Sequence, residues 1–391
     1  MKRIHLYAID IGGGHIAPAV AIKQQIDAMG REDIEVRVVN LGKALRAHLM
    51  SGIYKTYWKS ALKYPPLINA FYSGADNPLS TKILDAFFGI TLLPRFHAYL
   101  RREKPDVVVS TYFTFTHYLE TFKRVKQLDP VAVILNPEPF DSHSVWFSPI
   151  FDWTMVFSEK SRREIVEKGI PRETIRVFQF PIKPSAARRT VGREEVRREL
   201  ELDPARFTVL ICFGAEGVGP VRQYLKEIMA GGLAIQVVVV CGRNQILKRM
   251  LEKDVAAYRG EAHIVVRGFV TNLPDYVAAA DLVLGKSGPN QVFETLMQER
   301  PIVIASCLAN EKETGDWVVE NNLGWVSRSP RHFVALLRRI RKDPGILAEY
   351  GDNIRRMAVR SGTPEIAEFL VGLADAREEG TPSGHDALRR V

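Results

Sequence analysis

Gly12-Gly13-Gly14 and His15 stand directly after a short apolar run, residues 4–9, and directly before a helical pattern over 16–29. Strand, glycine turn and helix start in that order make a site for a phosphate or another anion. Glycine lets the backbone approach a ligand closely. The helix start offers unpaired N–H groups and the positive end of a dipole. His15 sets a titratable imidazole at the mouth of that turn, where its charge changes near neutral pH. The same order recurs late in the chain. Gly285-Lys286-Ser287-Gly288 follows an apolar run over 282–284 and leads into Pro289-Asn290-Gln291-Val292-Phe293-Glu294. Proline suits a first helical turn, because its missing N–H would have no intrahelical partner. Backbone N–H groups in such a turn can hold a diphosphate. Glu294, one and a half turns further on, is a candidate acceptor for the hydroxyls of a ribose. Two further turns end apolar runs in the same half: Gly214-Ala215-Glu216-Gly217 and Cys241-Gly242-Arg243-Asn244. Arg243 has the two-pronged geometry that suits a phosphate. Gly268-Phe269-Val270 ends another run and could border a base. Several such turns on one edge point to a nucleotide site.

These turns need a scaffold that brings strand ends together. In the first half, strands are expected at 4–9, 35–39, 106–110, 131–135, 153–157 and 175–178, with helices between, including 16–29 and 159–168. In the second half they are expected at 207–212, 235–241, 262–266, 282–284, 302–305 and 325–327, with helices starting near 219, 244, 273, 288 and 311. Strands separated by helices imply parallel sheets with right-handed crossovers. Open sheets of this kind bind ligands at the carboxyl ends of their strands. At 391 residues the chain is too long for one ordinary core. The expected fold is α/β with two doubly wound, Rossmann-like domains and a ligand cleft between them. The two prolines of Phe180-Pro181-Ile182-Lys183-Pro184-Ser185 and the basic stretch 188–198 read as the linker and the entry to a second domain, dividing a domain at 1–182 from one at 183–375. Residues 376–391, polar and glycine-rich, read as a disordered tail.

The balance of 54 basic against 45 acidic residues, a formal charge of +9, favours an anionic partner. No recognition motif for nucleic acid accompanies it. No run reaches the ~20 apolar residues of a membrane-spanning helix. The start reads as a buried strand, not as a signal peptide. Cys212, Cys241 and Cys307 are far apart and read as reduced core residues of a cytoplasmic protein, not as metal ligands. Residues 43–104 break the alternation. Long helical patterns there mix lysine and arginine with Tyr54, Tyr57, Trp58 and other large apolar residues, and Lys55 and Lys59 are among the cations. That mixture suits an anionic bilayer surface. The chain holds no Asp-x-Asp triplet, no Walker lysine motif and no full dinucleotide fingerprint. A departing nucleotide diphosphate would then be stabilised by helix dipoles and basic side chains, without a metal ion.

In order and spacing these motifs resemble the glycosyltransferase family that includes the monogalactosyldiacylglycerol synthases and the processive diacylglycerol glucosyltransferases. More distantly they are similar to the bacterial transferase that adds N-acetylglucosamine during lipid II synthesis. The resemblance runs from Gly12 to about Trp325 and includes Phe140-Asp141-Ser142-His143-Ser144-Val145-Trp146 and Pro181-Ile182-Lys183-Pro184. It implies the GT-B fold and inverting, metal-independent transfer of a hexose from a UDP-sugar to a membrane lipid, diacylglycerol or similar, with no cofactor. It implies UDP on the carboxyl-terminal domain, and the acceptor and membrane on the amino-terminal one. Carried residue by residue, it gives Glu294 the ribose, Gly288 and Pro289 with Ser287 and Asn290 the diphosphate, and Phe269 and Val270 the uracil. Gly14, Gly214, Gly217 and Arg243 complete the donor turns. His15 stands between donor and acceptor as base or orienting group. Glu138 and Asp141 remain open as the base, and His143 and Trp146 fall on the acceptor side. The family's acidic residue before the phenylalanine is Pro139 here. Its Gly-Gln-Glu donor-sugar segment reads Ala309-Asn310-Glu311, and a later asparagine reads Thr314. The implied location is cytoplasmic, peripheral to the inner face of the cell membrane. A UDP-sugar epimerase or hydrolase on the same fold, and a non-catalytic membrane- or nucleotide-binding relative, are the competing readings. The sugar, the lipid, the number of sugars added and the oligomeric state are not written in these motifs.

Overall fold

A computed structural model of the chain describes residues 1–9, 14–44, 74, 76, 94–125, 130–187, 189 and 191–378. Tyr54, Lys55, Tyr57, Trp58 and Lys59, with most of the segment expected to meet a membrane, lie outside the described residues, as do Gly12 and Gly13.

The chain divides into two compact units, Met1–Pro184 with Ser361–Val391, and Ser185–Arg360. The first holds a parallel sheet of β1 (Lys2–Ala8), β2 (Ile34–Asn40), β3 (Val107–Ser110), β4 (Val131–Leu135), β5 (Trp153–Val156) and β6 (Ile175–Val177), in the order β2-β1-β3-β4-β5-β6. All four residues of β3 and all five of β4 are buried. Interior parallel strands are covered by helices on both faces, so they read as unbroken apolar runs. The order reverses between β1 and β3, and β2 and β3 both pair in parallel with β1. That is the topological switch point of a doubly wound sheet.

The second unit repeats the scheme with β7 (Thr208–Cys212), β8 (Gln236–Val240), β9 (His263–Arg267), β10 (Leu282–Lys286), β11 (Ile302–Ser306) and β12 (Gly324–Val326), ordered β12-β11-β10-β7-β8-β9. Counted within the unit, this is the 3-2-1-4-5-6 order of dinucleotide-binding folds, and its switch point lies between β7 and β10. All twelve expected strands are present, within two residues at each end.

Two expectations are corrected. The last helix, Thr363–Glu378, was assigned with 183–375 to the second domain. It packs instead on the helix Ile16–Ala28 and on β1, within the first unit. Returning chain is tied to outgoing chain there. Ser361 Oγ accepts from Ile182 N at 3.1 Å, and Gly362 N donates to Phe180 O at 3.1 Å. A Cβ on Gly362 would collide with the Gln179 carbonyl. The tail was expected to begin at 376, but 376–378 continue this helix, and 379–391 lie outside the described residues. The basic stretch 188–198 lies within the second unit. Arg193–Glu199 is a helix whose Arg197 is 4% exposed. Its guanidinium donates to Ala279 O, Pro204 O and the Asp281 carboxylate at 2.6–2.9 Å. A buried cation persists only when paired and hydrogen-bonded in this way.

Candidate active site

In the first unit the switch point between β1 and β3 carries His15. It is the N-cap of Ile16–Ala28 and is buried, with 8% exposure. Thr111, just past β3, holds it there: its hydroxyl lies 3.0 Å from both the Tyr7 and the His15 carbonyl oxygens. The imidazole meets Tyr112 edge-on at 5.0 Å between centroids and Trp146 at 5.7 Å. The glycine-turn histidine and the tryptophan of the later motif are therefore neighbours, although 131 positions separate them. Thr111 and Tyr112 had no sequence signal beyond ending an apolar run.

The segment after β4 is built on its own backbone. Asn136 Nδ2 donates to Asp141 O at 2.7 Å, and Asn136 Oδ1 accepts from Glu138 N at 3.1 Å. The Pro139 carbonyl accepts from Ser158 Oγ and Ser161 Oγ at 2.6 and 2.9 Å. Asp141 Oδ1 accepts from His143 N at 3.0 Å. His143 Nδ1 accepts from Val145 N at 3.1 Å, so the neutral ring carries its hydrogen on Nε2. Glu138, His143 and Trp146 are buried, and Asp141 is half-buried.

In the second unit the turns after β7 and β8 interlock. Gly214, Gly217 and Gly242 have φ of 73°, 59° and 57°, a region that favours glycine. Arg243 N donates to Ala215 O at 2.7 Å, and Asn244 Nδ2 donates to Gly217 O at 3.3 Å. A Cβ on Gly217 would collide with Cys241 O, and one on Gly242 with Ala215 O. Arg243 pairs with Glu216 at 2.8 Å and lies 4.8 Å over the ring of Phe269, which is 50% exposed. Arg243 and Phe269, drawn from two different turns, thus form one exposed surface, with the half-buried Val270 beside it.

Across the switch point, the turn after β10 ends at Gly288, N-cap of the helix Pro289–Met297, with Pro289 in the first turn. Gly288 has an ordinary φ of −59°. A Cβ there would lie 2.7 Å from Lys286 Nζ and 3.0 Å from Glu311 Oε1, the ends of two flexible side chains that would have to shift to admit it. Lys286 Nζ pairs with Glu311 Oε1 at 2.7 Å, and Ser287 Oγ lies 3.4 Å from Glu311 Oε2. Glu311 is buried, at 5% exposure. Gln291 Nε2 donates to Cys212 O at 2.6 Å, joining this helix to the end of β7. Asn290, Glu294 and Asn310 are half-buried on the same elements. Sequence reading placed Glu311 on a donor sugar but missed its ion pair with Lys286. The sequence signal for that pair is a lysine inside a glycine turn, Gly285-Lys286-Ser287-Gly288. Chemically the cluster joins an uncapped helix start, one cation and one carboxylate. That combination can exchange an internal ion pair for an incoming anion.

Residues 15–182 match the family model for monogalactosyldiacylglycerol (MGDG) synthase, and residues 216–313 match the glycosyltransferase family 28 C-terminal domain. The chain is 27% identical over 390 residues to monogalactosyldiacylglycerol synthase 2, chloroplastic, of Arabidopsis thaliana, covering 96% of this chain and 82% of that one. It is 28% identical over 360 residues to probable monogalactosyldiacylglycerol synthase 3, chloroplastic, of Oryza sativa subsp. japonica, covering 86% and 68%. The chain is a glycosyltransferase with an MGDG synthase domain followed by a glycosyltransferase family 28 C-terminal domain. Among solved structures, MurG of Acinetobacter baumannii superposes with a TM-score of 0.62 at 12% identity, covering 95% of this chain and 99% of MurG. SnogD from Streptomyces nogalater gives 0.59 at 14%, covering 96% and 99%. The fold of this MGDG synthase relative is thus that of the GT-B glycosyltransferases. Among its described residues, no helix is long and apolar enough to cross a membrane.

Proposed function

We propose that this glycosyltransferase moves a hexosyl group from a UDP-sugar to a lipid hydroxyl with inversion, working as a peripheral protein on an anionic membrane face. What best supports this reading is the switch point of the second unit. Interlocked glycine turns after β7 and β8 face an uncapped helix start after β10, which is the arrangement a nucleoside diphosphate requires. In this reading Gly214, Gly217, Ser287, Gly288, Pro289 and Asn290 surround the diphosphate. Phe269 and Val270 flank the uracil, with Arg243 beside them. Glu294 accepts from the ribose hydroxyls. Asn310 and Glu311 meet the sugar, and Lys286 turns from Glu311 toward the diphosphate.

On the first unit, Gly14 and His15 face the reacting centre, and His143 and Trp146 border the acceptor. The acceptor oxygen attacks the anomeric carbon and gives its proton to a base. The bond from that carbon to the diphosphate breaks, and UDP leaves with the electron pair. His15 is the leading base, with Glu138 and Asp141 as the remaining candidates. The helix start and Lys286 stabilise the charge on UDP, so no divalent ion is called for. The names of the curated relatives make UDP-galactose and diacylglycerol the first pair to test.

The test is label transfer. Purified protein is given labelled UDP-galactose, UDP-glucose or UDP-N-acetylglucosamine with diacylglycerol in anionic vesicles. Label is expected in the lipid phase with one donor, and excess chelator is expected to leave the rate unchanged. Free labelled sugar, or a second UDP-sugar, would replace this reading with hydrolysis or epimerisation. UDP binding without turnover would leave a binding protein. Glu294→Ala, read by UDP titration, should weaken binding by about 10- to 150-fold, the loss of a hydrogen bond to a charged group of about 1.5–3 kcal/mol. Unchanged UDP affinity would remove Glu294 from the ribose.

A further inference from the structure

We propose that Asp76 is a positioning residue for the acceptor side. It clamps the turn that carries His143 and presents Trp146 to His15. The part concerning the acceptor rests on the transferase reading above.

Asp76 stands alone in sequence, far from any motif, yet its carboxylate accepts from two groups. Oδ1 accepts from Ser144 N at 2.8 Å. The two oxygens lie 3.3 and 3.1 Å from Lys168 Nζ. Oδ1 is also 3.9 Å from His143 Nδ1. Lys168 completes a bridge by donating to Ser142 O at 2.6 Å. Asp76 and Lys168 thus hold the main chain on both sides of His143. The Asp76 side chain is 34% exposed. Burial alone would raise its pKa. The hydrogen bonds from Ser144 and Lys168 outweigh that, and the carboxyl falls to about 2. It is therefore ionised wherever the enzyme works.

The turn itself is short. The one-turn helix Ser144–Trp146 begins at His143, whose ring caps it by accepting from Val145 N. A single turn closes few hydrogen bonds of its own, so outside partners set its geometry. Trp146 then reaches His15 at 5.7 Å. Fixing Ser144 therefore fixes the two side chains on either side of it.

The experiment pairs hydrogen exchange with kinetics, using the full chain and the variants Asp76→Ala, Asp76→Asn and Lys168→Met. In Asp76→Ala, backbone exchange is expected to rise in peptides spanning 142–147 and to stay at wild-type levels in β7 and β8. With labelled donor and diacylglycerol vesicles, kcat/KM for the acceptor should fall by about 10–100-fold, the size of a modest misplacement. KM for the donor should be unchanged. Lys168→Met should reproduce the loss, and combining it with Asp76→Ala should add little, because both remove one bridge. Asp76→Asn keeps an acceptor for Ser144 N but loses the charge facing Lys168, so its loss should be smaller. Wild-type exchange over 142–147 in Asp76→Ala would overturn the clamp. So would a rise in KM for the donor as large as that for the acceptor, the mark of general misfolding. Raised exchange in a protein that shows no transfer with any donor would leave the clamp standing and overturn the transferase reading instead.

Discussion

Replacing His15 with alanine is expected to lower kcat by about 10²–10⁴-fold, the usual contribution of a positioned side chain that moves a proton. UDP binding should be unchanged, because the turns assigned to UDP belong to the other compact unit. The expectation rests on position. His15 sits at the N-cap of Ile16–Ala28 beside the β1/β3 switch point, and Thr111 holds its main chain from the end of β3. Its ring is walled by Tyr112 and Trp146. Removing the imidazole also leaves a space between those rings, so a packing loss must be separated from a chemical one. His15→Gln serves this purpose, filling much of the space without supplying a base. Both variants should show the same loss of kcat and a wild-type UDP titration. Full activity in either would take His15 out of the proton transfer and pass the role to Glu138 or Asp141.

Gly242→Val should cost the second unit about 2–6 kcal/mol. Forcing a β-branched residue to φ near +57° accounts for about 1–3 kcal/mol. Overpacking against the Ala215 carbonyl accounts for about 1–3 more. That sum is a large part of the ~5–15 kcal/mol that holds a domain together. The turn can relax only by parting from its neighbour, which breaks the bond from Arg243 N to Ala215 O and lifts Arg243 from Phe269. UDP affinity should fall with stability. Urea denaturation and UDP titration on the same preparation give both readings. A valine variant with the wild-type midpoint and affinity would contradict the interlock of the two turns.

Most of the sheet architecture was legible because interior parallel strands have no polar face. Runs such as Val131–Leu135 and Gln236–Val240 stand out against amphipathic helices whatever lies around them. The glycine turns were legible for a related reason: backbone that must bend sharply or approach closely tolerates few residues. Less legible were the partners. Nothing near Glu311 in sequence names Lys286, 25 positions earlier, as its ion pair, and nothing near Ser144 names Asp76. The last helix follows the second sheet in the chain yet packs on the first, because chain order does not show which sheet a helix covers.

The sequence alone determined two parallel α/β sheets, the turns at their strand ends, and the glycosyltransferases those turns resemble. These are local matters of periodicity, backbone freedom and spacing. Only the tertiary structure decided which ends meet. Strand order puts β1 beside β3 and β7 beside β10, so His15 reaches Trp146 and the Gly288 helix start faces the Gly214 turn. It also returned the chain's last helix to the first unit and placed Asp76 under the His143 turn. Such pairings depend on the packing of whole layers, which no window of neighbouring residues encodes.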